Sequence, residues 1–81
     1  MKIKLRFFAQ LRDLVHCEET EIEIKNGATV EHLVNILGER YPNLREPLKT
    51  VSFGVNNEYA SKDTILKHGD EVALLPPISG G

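Results

Sequence analysis

Residues 26–42, NGATVEHLVNILGERYP, decide the fold. Asn26-Gly27 is a turn signal. Thr29 follows as a helix N-cap, because its hydroxyl can accept a hydrogen bond from an otherwise unpaired amide of the first turn. Glu31 suits the positive end of the helix dipole. Val30, Leu33, Val34 and Leu37 recur at i, i+3, i+4 and i+7, and Ile36 widens the stripe. Gly38 weakens the helix near its end. Pro42 stops it, since the residue before a proline avoids the helical region. The spacing predicts one long helix over residues 30–41. A single apolar stripe must be buried against another element, and the flanking segments supply one.

Those segments alternate with period two, the signature of half-buried strands. Ile3, Leu5 and Phe7 alternate with Lys4, Arg6 and Phe8. Ile22 and Ile24 alternate with Glu21, Glu23 and Lys25. Between them, Leu11, Leu14 and Val15 suggest a short helical turn at residues 10–14. If the two strands pair antiparallel, Lys4 and Arg6 share an outer face with the glutamates. Such cross-strand pairs contribute about 0.2–1 kcal/mol each, and a solvated face explains them better than a binding site. Residues 43–50 read as a loop around Pro47. Val51, Phe53 and Val55 mark a third strand, and Asn56-Asn57 a turn into a short edge segment, Glu58 to Ala60. Residues 61–64 and 68–70 are further turns, with Ile65 and Leu66 as core contacts between them. Glu71 to Leu75 is the last strand, closed by Pro76-Pro77, which cannot donate to a ladder.

The element order is α+β: a mixed sheet of about five strands packed on one main helix. The first two strands form a hairpin, the helix crosses behind them, and the last strand lies beside the first. The expected core is Ile3, Leu5, Phe7, Ile22, Ile24, Val30, Leu33, Val34, Leu37, Val51, Phe53, Val55, Ile65, Val72 and Leu74. Residues 1–75 form the folded domain and residues 76–81 a flexible C-terminal tail.

With 81 residues, 41% hydrophobic and 27% charged, the chain is one ordinary globular domain near the lower size limit for a self-sufficient core. Ten basic and 12 acidic residues give a net charge of -2, which offers no general attraction for nucleic acid or an anionic membrane. Cys17 stands alone, so no internal disulfide forms and a reducing cytoplasm is the expected location. The opening MKIKLRFFAQ lacks the apolar run of a signal peptide, and no stretch has the length of a membrane span. His16, His32 and His68 lack metal-ligand spacing, so no metal site is expected. No GxxxxGK[ST] motif is present, and no cofactor is expected on the chain. No active-site constellation appears.

Two features are left over. Strand parity sends Phe8, Ala73 and Leu75 to the face opposite the helix, and Tyr59 on the short edge segment can join them. Scattered surface hydrophobes need no explanation. A contiguous patch where the tail leaves reads as a protein interface. The tail itself is Pro76-Pro77-Ile78-Ser79-Gly80-Gly81. Its six residues span at most about 20 Å when extended. The prolines favour extended geometry and lower the entropy lost on docking. Gly80 and Gly81 leave the terminal carboxyl without neighbouring side chains, thin enough for a narrow channel.

Phe7-Phe8-Ala9-Gln10-Leu11-Arg12-Asp13-Leu14, Gly69-Asp70-Glu71-Val72-Ala73 and the Pro-Pro-Ile-Ser-Gly-Gly ending resemble the small subunit of molybdopterin synthase, the MoaD family. The resemblance runs over the whole chain. Departures are Ile78-Ser79 where many relatives carry Val-Ala, and Leu75 where an aromatic residue is common. The resemblance implies the β-grasp, or ubiquitin-like, fold and the work of a sulfur carrier. It implies that an E1-like adenylating enzyme uses ATP to activate Gly81 as an acyl adenylate, and that a sulfur donor protein converts it to a thiocarboxylate. It also implies that the tail, Pro76, Pro77, Ile78, Ser79, Gly80 and Gly81, enters the synthase's large subunit. There, two sulfur transfers to cyclic pyranopterin monophosphate build the dithiolene. Phe8, Tyr59, Ala73 and Leu75 are the expected partner surface. Three alternatives stand beside this reading: the sulfur carrier of thiamine thiazole synthesis, a ubiquitin-like modifier of lysines, and an interaction module with an inert tail.

Overall fold

The alternation in residues 2–7 decides the first element of the computed structural model, which describes residues 1–76. Strand β1 (Lys2–Phe7) turns Ile3, Leu5 and Phe7 inward and leaves Lys2, Lys4 and Arg6 exposed. A short helix, α1 (Gln10–Val15), buries Leu11 and leads to β2 (Glu19–Glu23). The main helix α2 (Val30–Arg40) follows. Then come β3 (Ser52–Val55), β4 (Glu58–Ala60) and β5 (Glu71–Leu75). The five strands form one sheet in the order β2-β1-β5-β3-β4. Only β1 and β5 run parallel; the other neighbours are antiparallel. This is the β-grasp arrangement: a mixed sheet holding one helix against a single face.

Helix α2 begins where its unpaired amides find partners. Thr29 Oγ1 accepts from His32 N at 3.4 Å, and His32 Nδ1 accepts from Thr29 N at 3.1 Å. The remaining first-turn donors reach across to another segment: Val30 N donates to Thr64 O and Glu31 N to Lys62 O, both at 3.0 Å. The helix start and residues 61–66 are thus strapped together, because these donors would otherwise be desolvated without partners. Val30, Leu33 and Leu37 are fully buried against the sheet.

Four expectations need correction. Ile65 is 62% exposed, whereas Leu66 is 1% exposed. Leu66 N donates to Ala28 O at 2.8 Å, which fixes the extended segment with Leu66 inward, so its neighbour must point out. Val34, Val51 and Val55 pack on the core only partly buried. The stretch read as a plain loop holds two 3₁₀ turns, Pro42–Leu44 and Pro47–Lys49, whose Leu44 and Leu48 are buried. A single leucine per turn leaves no periodicity to read. The second strand also starts earlier than its isoleucines suggest, at Glu19, because its pairing with β1 extends to Arg6.

Leu66→Ala should cost about 2–5 kcal/mol in urea unfolding, while Ile65→Ser should stay within about 0.5 kcal/mol. Similar losses for both would contradict the assigned direction of this segment.

Candidate functional site

Strand register lines up one residue from each strand on the face away from α2. Glu19 lies opposite Arg6, Arg6 opposite Ala73, Ala73 opposite Gly54, and Gly54 opposite Tyr59. From Arg6 onward the row runs long side chain, methyl, hydrogen, aromatic ring. A depression of about 290 Å³ opens over its middle, with Phe8 and Leu75 as further walls and Glu58 and Glu71 among its lining. The four residues expected on this face, Phe8, Tyr59, Ala73 and Leu75, therefore converge on one concavity. Tyr59 is 82% exposed. A second recess adjoins it, lined by Ser52, Tyr59, Leu75 and Pro76. Pro76 is the last described residue; Pro77, Ile78, Ser79, Gly80 and Gly81 lie outside the described residues.

Local interactions hold these walls. The hairpin turn between β3 and β4 has Asn56 at φ 52° and Asn57 at φ 71°, the left-handed pair that matches strand twist in two-residue hairpins. Asn56 also binds the start of β5. Its Nδ2 donates to Asp70 Oδ1 at 2.9 Å, and its Oδ1 accepts from Glu71 N at 3.0 Å. Asn56 N donates to Glu71 O at 2.8 Å. The Arg6 guanidinium lies over the Phe8 ring, 5.2 Å from its centroid, and its Nη1 is 3.3 Å from Glu71 Oε1. Cation–π and ion-pair contacts together restrain Phe8 beside Leu75.

The charged face divides. Lys4 pairs with Glu19 at 3.4 Å, as a solvated sheet face requires. Arg6 instead turns to β5 and becomes a wall of the depression. Sequence reasoning missed Arg6, Gly54, Glu58 and Glu71 as lining residues. A glycine within a strand pattern was the available signal, since it marks places where another group approaches closely.

Two of the three histidines serve elsewhere. His32 caps α2, and His68 Nδ1 accepts from Lys2 N at 3.0 Å. Cys17 is half-buried beside the core. Among the described residues no group of three or more His, Cys, Asp or Glu converges as metal ligands, and no helix is long and apolar enough to cross a membrane. What the depression offers chemically is an open concavity with apolar walls, Phe8, Tyr59, Ala73 and Leu75, and a polar rim of Arg6, Asn57, Glu58 and Glu71.

The sequence matches the ThiS family over residues 5–81. Across all of this chain and 99% of the other, it is 38% identical to the molybdopterin synthase sulfur carrier subunit of Mycobacterium tuberculosis. The fold superimposes on SAMP1 of Haloferax volcanii with a TM-score of 0.89 at 25% identity, covering both chains completely. It also superimposes on a chain in the complex of subunits 1 and 2 of the Helicobacter pylori molybdopterin-converting factor. That match has a TM-score of 0.73 at 29% identity, again over both full chains.

Tyr59→Ser should change stability by less than about 0.5 kcal/mol in urea unfolding, because the ring rests on the surface and adds little to the core. A larger loss would make Tyr59 part of the packing and unavailable for docking.

Proposed function

The chain belongs to the ThiS family, and from that premise we propose that it is the sulfur carrier subunit of a molybdopterin synthase, with the Gly81 carboxyl as the group that bears sulfur. One observation carries the reading beyond sequence likeness. The apolar walls Phe8, Tyr59, Ala73 and Leu75 share a concavity at the end of β5, next to Pro76. A carrier needs its grip and its reactive group on the same side, so that docking delivers the tail.

A terminal carboxylate is ionised at neutral pH and a poor electrophile. In this reading an E1-like adenylating enzyme holds ATP, and the Gly81 carboxylate attacks the α-phosphorus, releasing pyrophosphate. Sulfide-level sulfur from a donor protein then adds at the glycyl carbonyl. AMP leaves with the electron pair of the broken C–O bond, and a thiocarboxylate remains. ATP therefore belongs to the activating enzyme, and this chain binds no cofactor of its own. Glycine at both terminal positions keeps the carbonyl open to attack and lets the backbone follow a channel. The large subunit receives Pro76, Pro77, Ile78, Ser79, Gly80 and Gly81, and two such deliveries to cyclic pyranopterin monophosphate complete the dithiolene. The partner is supported by the subunit 1–subunit 2 complex of the Helicobacter pylori relative. The catalytic groups for the transfer belong to that large subunit. The location is the cytoplasm, supported by a single unpaired cysteine.

Likeness to SAMP1, whose other crystal structure is described as a small archaeal modifier protein, favours a second reading. The same activated glycine would then acylate lysines on other proteins.

Incubation with ATP, the activating enzyme and a sulfur donor should replace one oxygen by sulfur in the C-terminal peptide, read by intact mass. Deleting Gly81 should abolish the gain and leave thermal unfolding unchanged. An unaltered mass in the full chain counts against the carrier, and lysine conjugates in its place favour the modifier. Phe8→Asp and Leu75→Asp should each raise the Kd for the large subunit by about tenfold or more, with thermal stability little changed. Parallel losses of binding and stability would reject the docking face.

A further inference from the structure

The row across the sheet narrows to nothing at its centre. Ala73 and Gly54 are register partners, flanked by Arg6 on one side and Tyr59 on the other. They make a floor with walls on either side, where longer side chains would give a flat face. At about 290 Å³ the hollow sits at the bottom of the ~300–1,000 Å³ range of small-molecule sites, and it lies open on the surface. Its size fits one or two protein side chains better than an enclosed ligand.

Its charges are unequal. Arg6 is already engaged by Glu71 and by the Phe8 ring. Glu58, on the same rim, has no ion-pair partner among the described residues. The free charge at the edge of this hollow, whose walls and floor are apolar at Phe8, Tyr59, Ala73 and Leu75, is therefore negative. An occupant that matches both features has a large apolar side chain and a cation beside it.

We propose that the notch floored by Gly54 and Ala73 receives one large apolar side chain of the synthase's large subunit, and that a neighbouring lysine or arginine of that subunit meets Glu58. The proposal rests on the carrier reading and specifies how its docking face discriminates. Gly54 and Ala73 act by what they lack. A Cβ built on Gly54 would meet Glu58 O at 3.7 Å and the Ala73 Cβ at 3.9 Å, ordinary contact distances, so the strand itself does not require glycine there. Its absence of a side chain serves the hollow. Small floor residues set shape selectivity, and Glu58 sets charge selectivity, so a partner lacking either element is rejected.

The test is calorimetric titration of the full chain with the large subunit, using Gly54→Val, Ala73→Leu, Glu58→Gln and Glu58→Lys, with Leu75→Asp as the control. Thermal melts identify any variant that fails to fold. Gly54→Val and Ala73→Leu should each raise Kd by about tenfold or more. Glu58→Lys should exceed Glu58→Gln, and its effect should shrink in molar salt, where exposed charges are screened within about 3 Å. If Leu75→Asp abolishes binding while folded notch and Glu58 variants bind normally, the notch inference falls and the docking face stands. If Leu75→Asp also binds normally, the carrier's docking face itself is wrong. If the notch variants change only self-association in sedimentation, the occupant is a second copy of this chain and the proposal is overturned.

Discussion

Parallel pairing of β1 with β5 is the constraint on which the rest of this molecule depends. It joins the two ends of the described chain at the middle of the sheet, with Leu5 opposite Val72 and Phe7 opposite Leu74. Those inward residues are all buried. Because side chains alternate, the same register dictates the other face: Arg6 stands beside Ala73, and Phe8 emerges next to Leu75. A one-residue slip would exchange the two faces, burying Arg6 and exposing Phe7. Core and outer hollow are thus two outcomes of one hydrogen-bond ladder.

The second constraint is local to the helix start. A chain of this length has little core to spare. Its main helix begins with reciprocal capping by Thr29 and His32, and two further amides are satisfied by carbonyls of Lys62 and Thr64. The bonds tie the helix to the segment that carries Leu66 inward and feeds β5. The Asn56 side chain does similar work on the opposite side, fixing the β3–β4 hairpin to the start of β5. Both β5 neighbours and the tight turns before it therefore converge on one strand.

The candidate site was half legible. Phe8, Ala73 and Leu75 follow from strand parity alone, and Tyr59 from its place on an edge segment. Arg6 was not legible as a wall, because the same alternation that exposes it made it one of several charges on a solvated face. Its choice of Glu71 over the β2 glutamates depends on which strand lies on its far side. Gly54 and Glu58 were silent for the same reason: a missing side chain and a surface carboxylate acquire meaning only from their neighbours. Leu44 and Leu48 were missed in the core because each anchors a short 3₁₀ turn, where no repeat accumulates.

Sequence by itself determined the element order, the long helix with its Thr29 cap, the inward parity of β1 and β5, and the family resemblance that rests on the Phe-Phe-Ala opening and the Gly-Gly ending. These are short-range properties, set by steric limits on the backbone and by the periods 3.6 and 2.0. The tertiary structure alone decided that Ile65 faces out and Leu66 in, that Arg6 leaves its glutamate row for Glu71, and that Gly54 and Ala73 meet to open a hollow between Arg6 and Tyr59. The reason is register. Periodicity assigns each residue a side of its own strand, but which residues stand next to each other across strands is fixed only when separate segments pair and bury a common core.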